Sequence, residues 1–202
     1  MIIAICGIDG SGKTTQIKRI KEKLEAKQKK VYCTKQPTDW YRSDARLQGY
    51  LTGKIKEEPL LLKELALFSA ADRLRHYQLE ILPKEKEGYI IICDRYVFTT
   101  YAYFMARGIK DYNWLKEINK FIVMPDLIIY IDVPAEIALK RIVERDGISS
   151  KKEEKDFNRL NDICNLFRNQ PWGKNNNYYS VDGTKDINDL ANEISQIVDK
   201  YI

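Results

Sequence analysis

Five short apolar runs limit most strongly how this chain can fold. They cover residues 2–6, 30–34, 89–93, 127–132 and 178–181. The runs are too apolar to alternate between two environments, as expected of parallel strands covered on both faces. The stretches between them contain helical patterns long enough for the crossovers that parallel strands require. We therefore expect an α/β fold, a doubly wound five-stranded parallel sheet with helices on both faces.

Helical periodicity predicts the elements between the strands. One helix follows Gly12, and a long one covers 60–82 and ends at Pro83. Further helices are predicted at 97–107, 114–122, 136–145, 157–167 and 186–202. The polar stretch around Gly147 interrupts this pattern. We expect a short mobile lid there, at about 141–156.

Composition favours a single domain over residues 1–202. The 202 residues are 44% hydrophobic and 31% charged, enough for one substantial core. The net charge of +5 suggests anionic ligands, but the basic residues are dispersed, so no nucleic-acid partner is expected. The N-terminal run has no basic leader typical of a signal peptide, and no apolar stretch approaches the roughly 20 residues that cross a bilayer. We therefore expect no membrane partner.

The cysteines predict free thiols. Cys6, Cys33, Cys93 and Cys164 show no paired C-x-x-C spacing. We expect buried thiols in a reducing cytoplasm and no metal site built from cysteine and histidine. The only histidine, His76, is interpreted as a surface or packing residue.

A phosphate-binding loop connects the first strand to the first helix. The sequence G-I-D-G-S-G-K-T at 7–14 meets the pattern G-x-x-x-x-G-K-[ST]. Its glycines let backbone N–H groups face a phosphate at a helix N-terminus. Lys13 is expected to reach the β and γ phosphates, and the Thr14 hydroxyl to ligate Mg²⁺. The expected nucleotide-binding set is Gly7, Asp9, Gly10, Ser11, Gly12, Lys13, Thr14 and Thr15.

A second charged motif follows the third predicted strand. Asp94 and Arg95 come where that strand ends, and open α/β proteins bind ligands at the carboxyl edge of the sheet. We expect Asp94 to hold the water shell of Mg²⁺ and Arg95 to bind a phosphate. A surface ion pair is the alternative. A switch GTPase is not expected, because the closest match to N-K-x-D, at 119–122, ends in Ile122.

Together these motifs resemble the thymidylate kinase family, a group of P-loop nucleoside monophosphate kinases. The resemblance covers essentially the whole chain. It rests on G-I-D-G-S-G-K-T-T-Q at 7–16, F-S-A-A-D-R at 68–73, D-R-Y at 94–96, and P-D-L at 125–127 with Y-I-D-V at 130–133.

The resemblance implies a three-layer P-loop kinase fold and a homodimer. It implies transfer of the γ-phosphoryl group from MgATP to dTMP, giving dTDP, in pyrimidine deoxynucleotide biosynthesis. The residues it assigns to catalysis are Lys13, Arg95, Asp9, Arg145 and Arg141. The expected acceptor-binding residues are Asp9, Phe68, Arg73, Arg95, Tyr96, Thr99, Thr100 and Tyr103, together with Arg42 from the altered segment after the second strand.

The chain departs from the family's usual pattern in three places. Family members place the base-stacking phenylalanine four residues before the arginine, whereas Phe68 and Arg73 are five apart, so Phe68 either stacks on the base or faces the core. Residues 35–37 read K-Q-P where R-E-P is usual. Some members carry an arginine where this chain has Gly10, and the missing charge is then expected from the lid, where Arg141, Arg145 and Lys151 are the candidates.

Three alternatives remain open from sequence. One is a related kinase with another acceptor, either a different pyrimidine monophosphate or a deoxynucleoside. Another is a nucleotide-dependent regulatory protein without catalysis, and the third is a nucleic-acid binder. The lid charges also have an alternative interpretation as a solvated helix face paired with neighbouring glutamates.

Overall fold

The computed structural model describes residues 1–146, 156–172 and 177–202. Five strands form one sheet, and all neighbouring pairs in it are parallel. The strands are β1 Ile2–Cys6, β2 Val31–Lys35, β3 Ile90–Asp94, β4 Leu127–Asp132 and β5 Tyr178–Asp182. This confirms the predicted α/β fold, with strand ends shifted by one residue at most.

The spatial order of the strands is β2-β3-β1-β4-β5. Every residue of the central strand β1 is buried, whereas the edge strands β2 and β5 are only partly buried. Helices pack on both faces of the three inner strands, so these strands need apolar side chains at successive positions. The order also brings the ends of β1 and β3 together, since Ile5 of β1 pairs with Asp94 of β3.

Ten α-helices surround the sheet in the described part of the chain. They are α1 Lys13–Ala26, α2 Asp39–Arg42, α3 Ala45–Leu51, α4 Pro59–His76, α5 Leu82–Lys86, α6 Val97–Ala106, α7 Tyr112–Ile118, α8 Ala135–Asp146, α9 Phe157–Asn169 and α10 Ile187–Val198. None of the described helices is long and apolar enough to span a membrane.

The long helix predicted at 60–82 differs from the observed one at its end. A π-helical turn, Tyr77–Ile81, follows α4, and Pro83 lies in the first turn of α5 instead of ending the helix. Proline cannot donate the intrahelical hydrogen bond, and the π-helical turn directly before α5 is where the regular hydrogen-bond pattern changes. The prediction that Pro83 ends the helix was therefore wrong.

Two short helices between β2 and α4 were not predicted. Thr38 caps α2 through its hydroxyl, which accepts from the backbone N–H of Trp40. Asp44 caps α3 by accepting from the N–H of Leu47 at 2.8 Å. Each helix is shorter than the window over which periodicity is informative, so only the capping residues signal them. The segment brings Tyr41 and Arg42 toward the functional site.

The four cysteines are free thiols, three of them buried and Cys33 half-buried. The predicted lid at 141–156 begins within α8. Residues 147–155, and with them Lys151, lie outside the described residues.

Candidate active site

The phosphate-binding loop follows β1 and leads directly into α1. Gly7, Gly10 and Gly12 all have positive φ, at 152°, 79° and 89°. A side chain at Gly10 would also overlap the backbone carbonyl of Ala138 in α8. The loop therefore needs glycine at these positions for its backbone conformation, and at Gly10 also for close packing against α8.

Lys13 is buried within this loop. Its ammonium group donates to the carbonyl of Ile8 at 2.8 Å and lies 3.9 Å from Asp9 Oδ1. Burial and the positive charge of Arg95 lower the pKa of Lys13 to about 8, although Asp9 and Asp94 raise it in part. A buried ammonium group with so little compensating charge would be stabilised by a bound phosphate.

Arg95 and Asp9 form an ion pair between the ends of β3 and β1. Arg95 Nη2 lies 2.6 Å from Asp9 Oδ1, and Nη1 donates to the Gly7 carbonyl and the Tyr103 hydroxyl, both at 3.2 Å. The backbone of Arg95 is left-handed, with φ 68°, a conformation that residues other than glycine seldom adopt. This turn sends the guanidinium back toward the phosphate-binding loop.

The surroundings of Arg95 stabilise its protonated form. Burial alone lowers the pKa of Arg95, but the neighbouring Asp9, Tyr103 and Asp94 raise it overall. The guanidinium also lies over the Tyr103 ring, 5.2 Å from its centroid. Arg95 is therefore a fixed cation at the edge of the sheet, with its ion-pair partner on the phosphate-binding loop.

A cavity of about 460 Å³ opens beside this ion pair. Its size is that of a small-molecule site. Among the described residues, two carboxylates, Asp9 and Asp94, lie in its wall together with a larger number of cations. The arginines that line it are Arg42, Arg73, Arg95, Arg107, Arg145 and Arg159. The cavity therefore suits an anionic ligand.

Arg73 occupies the interior end of the cavity and is 1% exposed. Its guanidinium donates to Gln36 Oε1 at 3.0 Å, to Asn119 Oδ1 at 2.6 Å and to the Thr100 hydroxyl. Burial lowers the pKa of Arg73, and its three hydrogen-bond partners are neutral. Neutral oxygens fix the plane of the guanidinium without cancelling its charge, so Arg73 can present directed donors to a polar ligand.

Most of the residues predicted for the acceptor line this cavity. They are Asp9, Arg42, Arg73, Arg95, Tyr96, Thr99, Thr100 and Tyr103. Phe68 is the exception among the described residues: its ring packs against Trp40 and Tyr41, with centroids 4.9 and 5.2 Å apart, and its neighbour Ser69 lines the cavity instead. Phe68 precedes Arg73 by five residues instead of four. Because five residues are more than one helical turn, the Phe68 side chain points away from the cavity.

The two predicted lid arginines of α8 lie in different surroundings. Arg145 lines the cavity. Arg141 Nη1 instead donates to the carbonyls of Gly183, at 3.1 Å, and Gly10, at 3.4 Å. The structure thus brings Arg145 beside the predicted acceptor residues, whereas Arg141 joins the phosphate-binding loop to the turn after β5.

Two arginines of the cavity wall were missed by sequence reasoning. Arg107 follows Tyr103 by four residues, so helical spacing from a predicted site residue was a usable signal. Arg159 lies in α9 and donates to Glu57 Oε2 at 2.9 Å and to the Tyr50 hydroxyl at 3.0 Å. It reaches the cavity only through tertiary packing, so no local sequence pattern predicts its place there.

The residues predicted for Mg²⁺ suit that ion. Oδ1 of Asp94 is buried and has no hydrogen-bond partner among the described residues. Thr14 is exposed at the start of α1, as is Thr15. In the described ranges no three histidine, cysteine or acidic side chains gather into a metal site. Mg²⁺ needs no such cluster when water and substrate phosphates complete its octahedral shell.

Comparison with known proteins identifies the family. The family model for thymidylate kinase matches residues 5–194. A probable thymidylate kinase of Pyrococcus horikoshii is 42% identical over 153 residues, which cover 73% of this chain and 72% of that protein. Probable thymidylate kinase 1 of Saccharolobus solfataricus is 36% identical over 203 residues, covering 100% of this chain and 98% of that protein. With a family model that extends over nearly its whole length, this chain belongs to the thymidylate kinase family.

Proposed function

We propose that this protein transfers the γ-phosphoryl group of ATP to dTMP, giving ADP and dTDP. An oxygen of the dTMP phosphate attacks the γ-phosphorus, and the bond from that phosphorus to the β–γ bridging oxygen breaks. The observation that carries the proposal is the juxtaposition of a phosphate-binding loop with an arginine-lined cavity, joined by the Asp9–Arg95 ion pair. The two substrates are anions, and such a site holds them in line by cancelling their repulsion.

The positions of the residues support a role for each of them. Lys13 and the loop amides bind the β and γ phosphates of ATP, with the binding set predicted from Gly7 to Thr15. Arg95 and Arg42 bind the acceptor phosphate, and Arg73 faces the base with Thr100. Tyr103 packs beside the sugar, and Arg145 stabilises charge on the transferred group. No general base is required, because the acceptor phosphate is already an anion.

Mg²⁺ is proposed to be held by Thr14 and by the water shell on Asp94. Bound there, it would neutralise charge on the β and γ phosphates. Oδ1 of Asp94 supports this role, since a buried carboxylate oxygen that lacks a partner within the described ranges favours a cation or its ligated water.

An acceptor without a phosphate is not favoured. A neutral deoxynucleoside would bring no anion to a cavity whose described lining carries six arginines against two carboxylates, so the excess positive charge of the wall would not be compensated. The phosphate of a monophosphate provides that compensation, which supports a monophosphate kinase over a nucleoside kinase.

A coupled assay of ADP formation tests the function. We expect turnover with dTMP to exceed turnover with dUMP, dCMP and thymidine, and chromatography should identify dTDP as the product. Lys13→Ala is the control for contaminating kinases, since it should remove activity with every acceptor. Activity on thymidine without activity on dTMP would overturn the proposal.

We also propose that the protein is a homodimer that associates through α4. Leu60, Leu67 and Leu74 are 79%, 51% and 42% exposed on this helix. Their seven-residue spacing places them on one face, with little drift from one turn to the next. A continuous exposed leucine stripe of this kind supports a self-complementary interface.

A further inference from the structure

A chain of hydrogen bonds runs from the cavity wall along the face of α4 that meets β2 and the residue after it. Arg73 Nε donates to Gln36 Oε1 at 3.0 Å, and Gln36 Nε2 lies 3.1 Å from His76 Nδ1. His76 Nε2 lies 2.8 Å from the Thr34 hydroxyl oxygen, and that hydroxyl donates to Glu80 Oε1 at 2.6 Å. Arg73, Gln36 and His76 are each at most 2% exposed. No role in the proposed reaction has yet been given to His76.

The direction of each hydrogen bond is fixed from the Arg73 end. A guanidinium group has donors only, so Gln36 must turn its carbonyl oxygen toward Arg73. The amide NH₂ of Gln36 then faces His76 Nδ1. Because an NH₂ group donates, Nδ1 must be the unprotonated, accepting nitrogen of the ring.

The Glu80 end independently requires the same state of the ring. Burial raises the pKa of Glu80, but hydrogen bonds from Thr34, Tyr32 and His76 lower it overall, so its carboxylate is an ionised acceptor. The Thr34 hydroxyl donates its one proton to Glu80, so toward His76 it can only accept a hydrogen bond. Nε2 of His76 must therefore carry the proton, and both ends specify one neutral tautomer.

We propose that His76 is a positioning residue for Arg73: its Nδ1 holds the Gln36 amide in the one orientation that gives the Arg73 guanidinium an acceptor at Nε. The inference rests on the proposed function for the role of Arg73 toward the thymine base. The other two bonds of Arg73, to Asn119 and Thr100, use its terminal nitrogens. Without an acceptor at position 76 the Gln36 amide can rotate. Arg73 then loses the hydrogen bond at Nε that fixes the orientation of its guanidinium plane.

The tautomer can be observed directly by nitrogen-15 NMR. His76 is the only histidine of the sequence, so histidine labelled in the ring gives one pair of ring-nitrogen signals. At neutral pH we expect a pyridine-type signal for Nδ1 and a pyrrole-type signal for Nε2. The opposite tautomer, or a doubly protonated ring, would overturn the inference whatever the enzyme's activity.

Three substitutions separate positioning from packing. Asn places a carbonyl oxygen near the position of Nδ1, Gln places its amide near Nε2, and Leu keeps the bulk without either group. We expect His76→Gln and His76→Leu to raise the KM for dTMP about tenfold, as loss of one directed hydrogen bond would, with kcat and the KM for ATP changed little. His76→Asn should stay close to wild type.

The outcomes are distinguishable. If the wild type phosphorylates dTMP but His76→Asn and His76→Gln have the same KM for dTMP, His76 only fills space. The inference about His76 then fails while the proposed function stands. No turnover of dTMP by the wild type would count against the proposed function, while the NMR result would still decide the tautomer. Melting temperatures of all variants show whether each is folded, and the Asn and Gln pair decides the question even where Leu is not tolerated.

Discussion

The low pKa of Lys13 makes nucleotide binding depend on pH. In the ligand-free protein its pKa is about 8, below the ordinary value of 10.5, so above pH 8 the side chain is mostly neutral. Phosphate binding favours the charged form, so binding must take up a proton in this range. We expect ATP affinity to fall as the pH rises through 8, with proton uptake seen by calorimetry in buffers of different ionisation enthalpy.

The control for this experiment is Lys13→Met. It should bind ATP weakly on both sides of pH 8 and take up no proton at this site. Undiminished proton uptake by the variant would assign the effect to another group.

The two arginines of α8 should differ in their effects on turnover. Arg145 lines the cavity and is proposed to meet the transferred phosphoryl group, so Arg145→Ala should lower kcat about a hundredfold with little effect on ATP binding. Arg141 bonds to Gly10 and Gly183, so Arg141→Ala serves as a matched control that should lower kcat less. Steady-state kinetics of both variants decide this, and an unchanged kcat for Arg145→Ala would remove it from the mechanism.

At the scale of elements, the phosphate-binding loop and α8 are packed together at Gly10. Gly10 and Gly12 both have positive φ, but only at Gly10 would a methyl group meet the Ala138 backbone, while none lies near Gly12. We therefore expect Gly10→Ala to be less stable than Gly12→Ala by about 2 kcal/mol, the usual cost of overpacking.

Chemical denaturation of the two variants measures this difference, and their shared left-handed conformation cancels in the comparison. Equal stabilities would mean that α8 shifts to accommodate the added methyl group. In that case the loop and α8 would not behave as one packed unit.

How far elements can be predicted from sequence depends on their length and packing. Strand β1 and the loop after it are marked locally, by continuous apolar residues and by glycines, so their positions were predicted. Helices α2 and α3 are too short to show a period, and the π-helical turn before Pro83 leaves no compositional mark. A strand, helix or loop can therefore be predicted from sequence where neighbouring residues alone determine its conformation.

Site residues follow the same rule. Asp94 ends a recognisable strand and Arg95 follows it directly, so their place at the sheet edge was predictable. Phe68 was assigned by resemblance, and one additional residue before Arg73 changes its direction on the helix. The ring of His76 looks unremarkable in sequence because its partners are about 40 residues earlier, Thr34 in β2 and Gln36 directly after it.

For the whole molecule, the exposed leucine stripe of α4 predicts association. Leu67 is at the centre of the stripe, so Leu67→Glu should place a charge in the middle of the proposed interface and leave the protein monomeric. Light scattering after size-exclusion chromatography measures the mass. Phe121→Glu is the control, since Phe121 is also exposed, at 72%, but lies outside α4. A wild-type monomer, or dissociation by the control alone, would contradict this interface.

The six arginines of the cavity have a consequence for the end of the catalytic cycle. dTDP carries more negative charge than dTMP, so a wall of guanidinium groups that favours the acceptor holds the product more tightly. We therefore expect departure of dTDP to be slower than its formation, as in many enzymes whose turnover is set by product release. Rapid mixing should reveal a burst of dTDP in the first turnover, and added salt should speed the steady rate that follows by weakening the hold on the product.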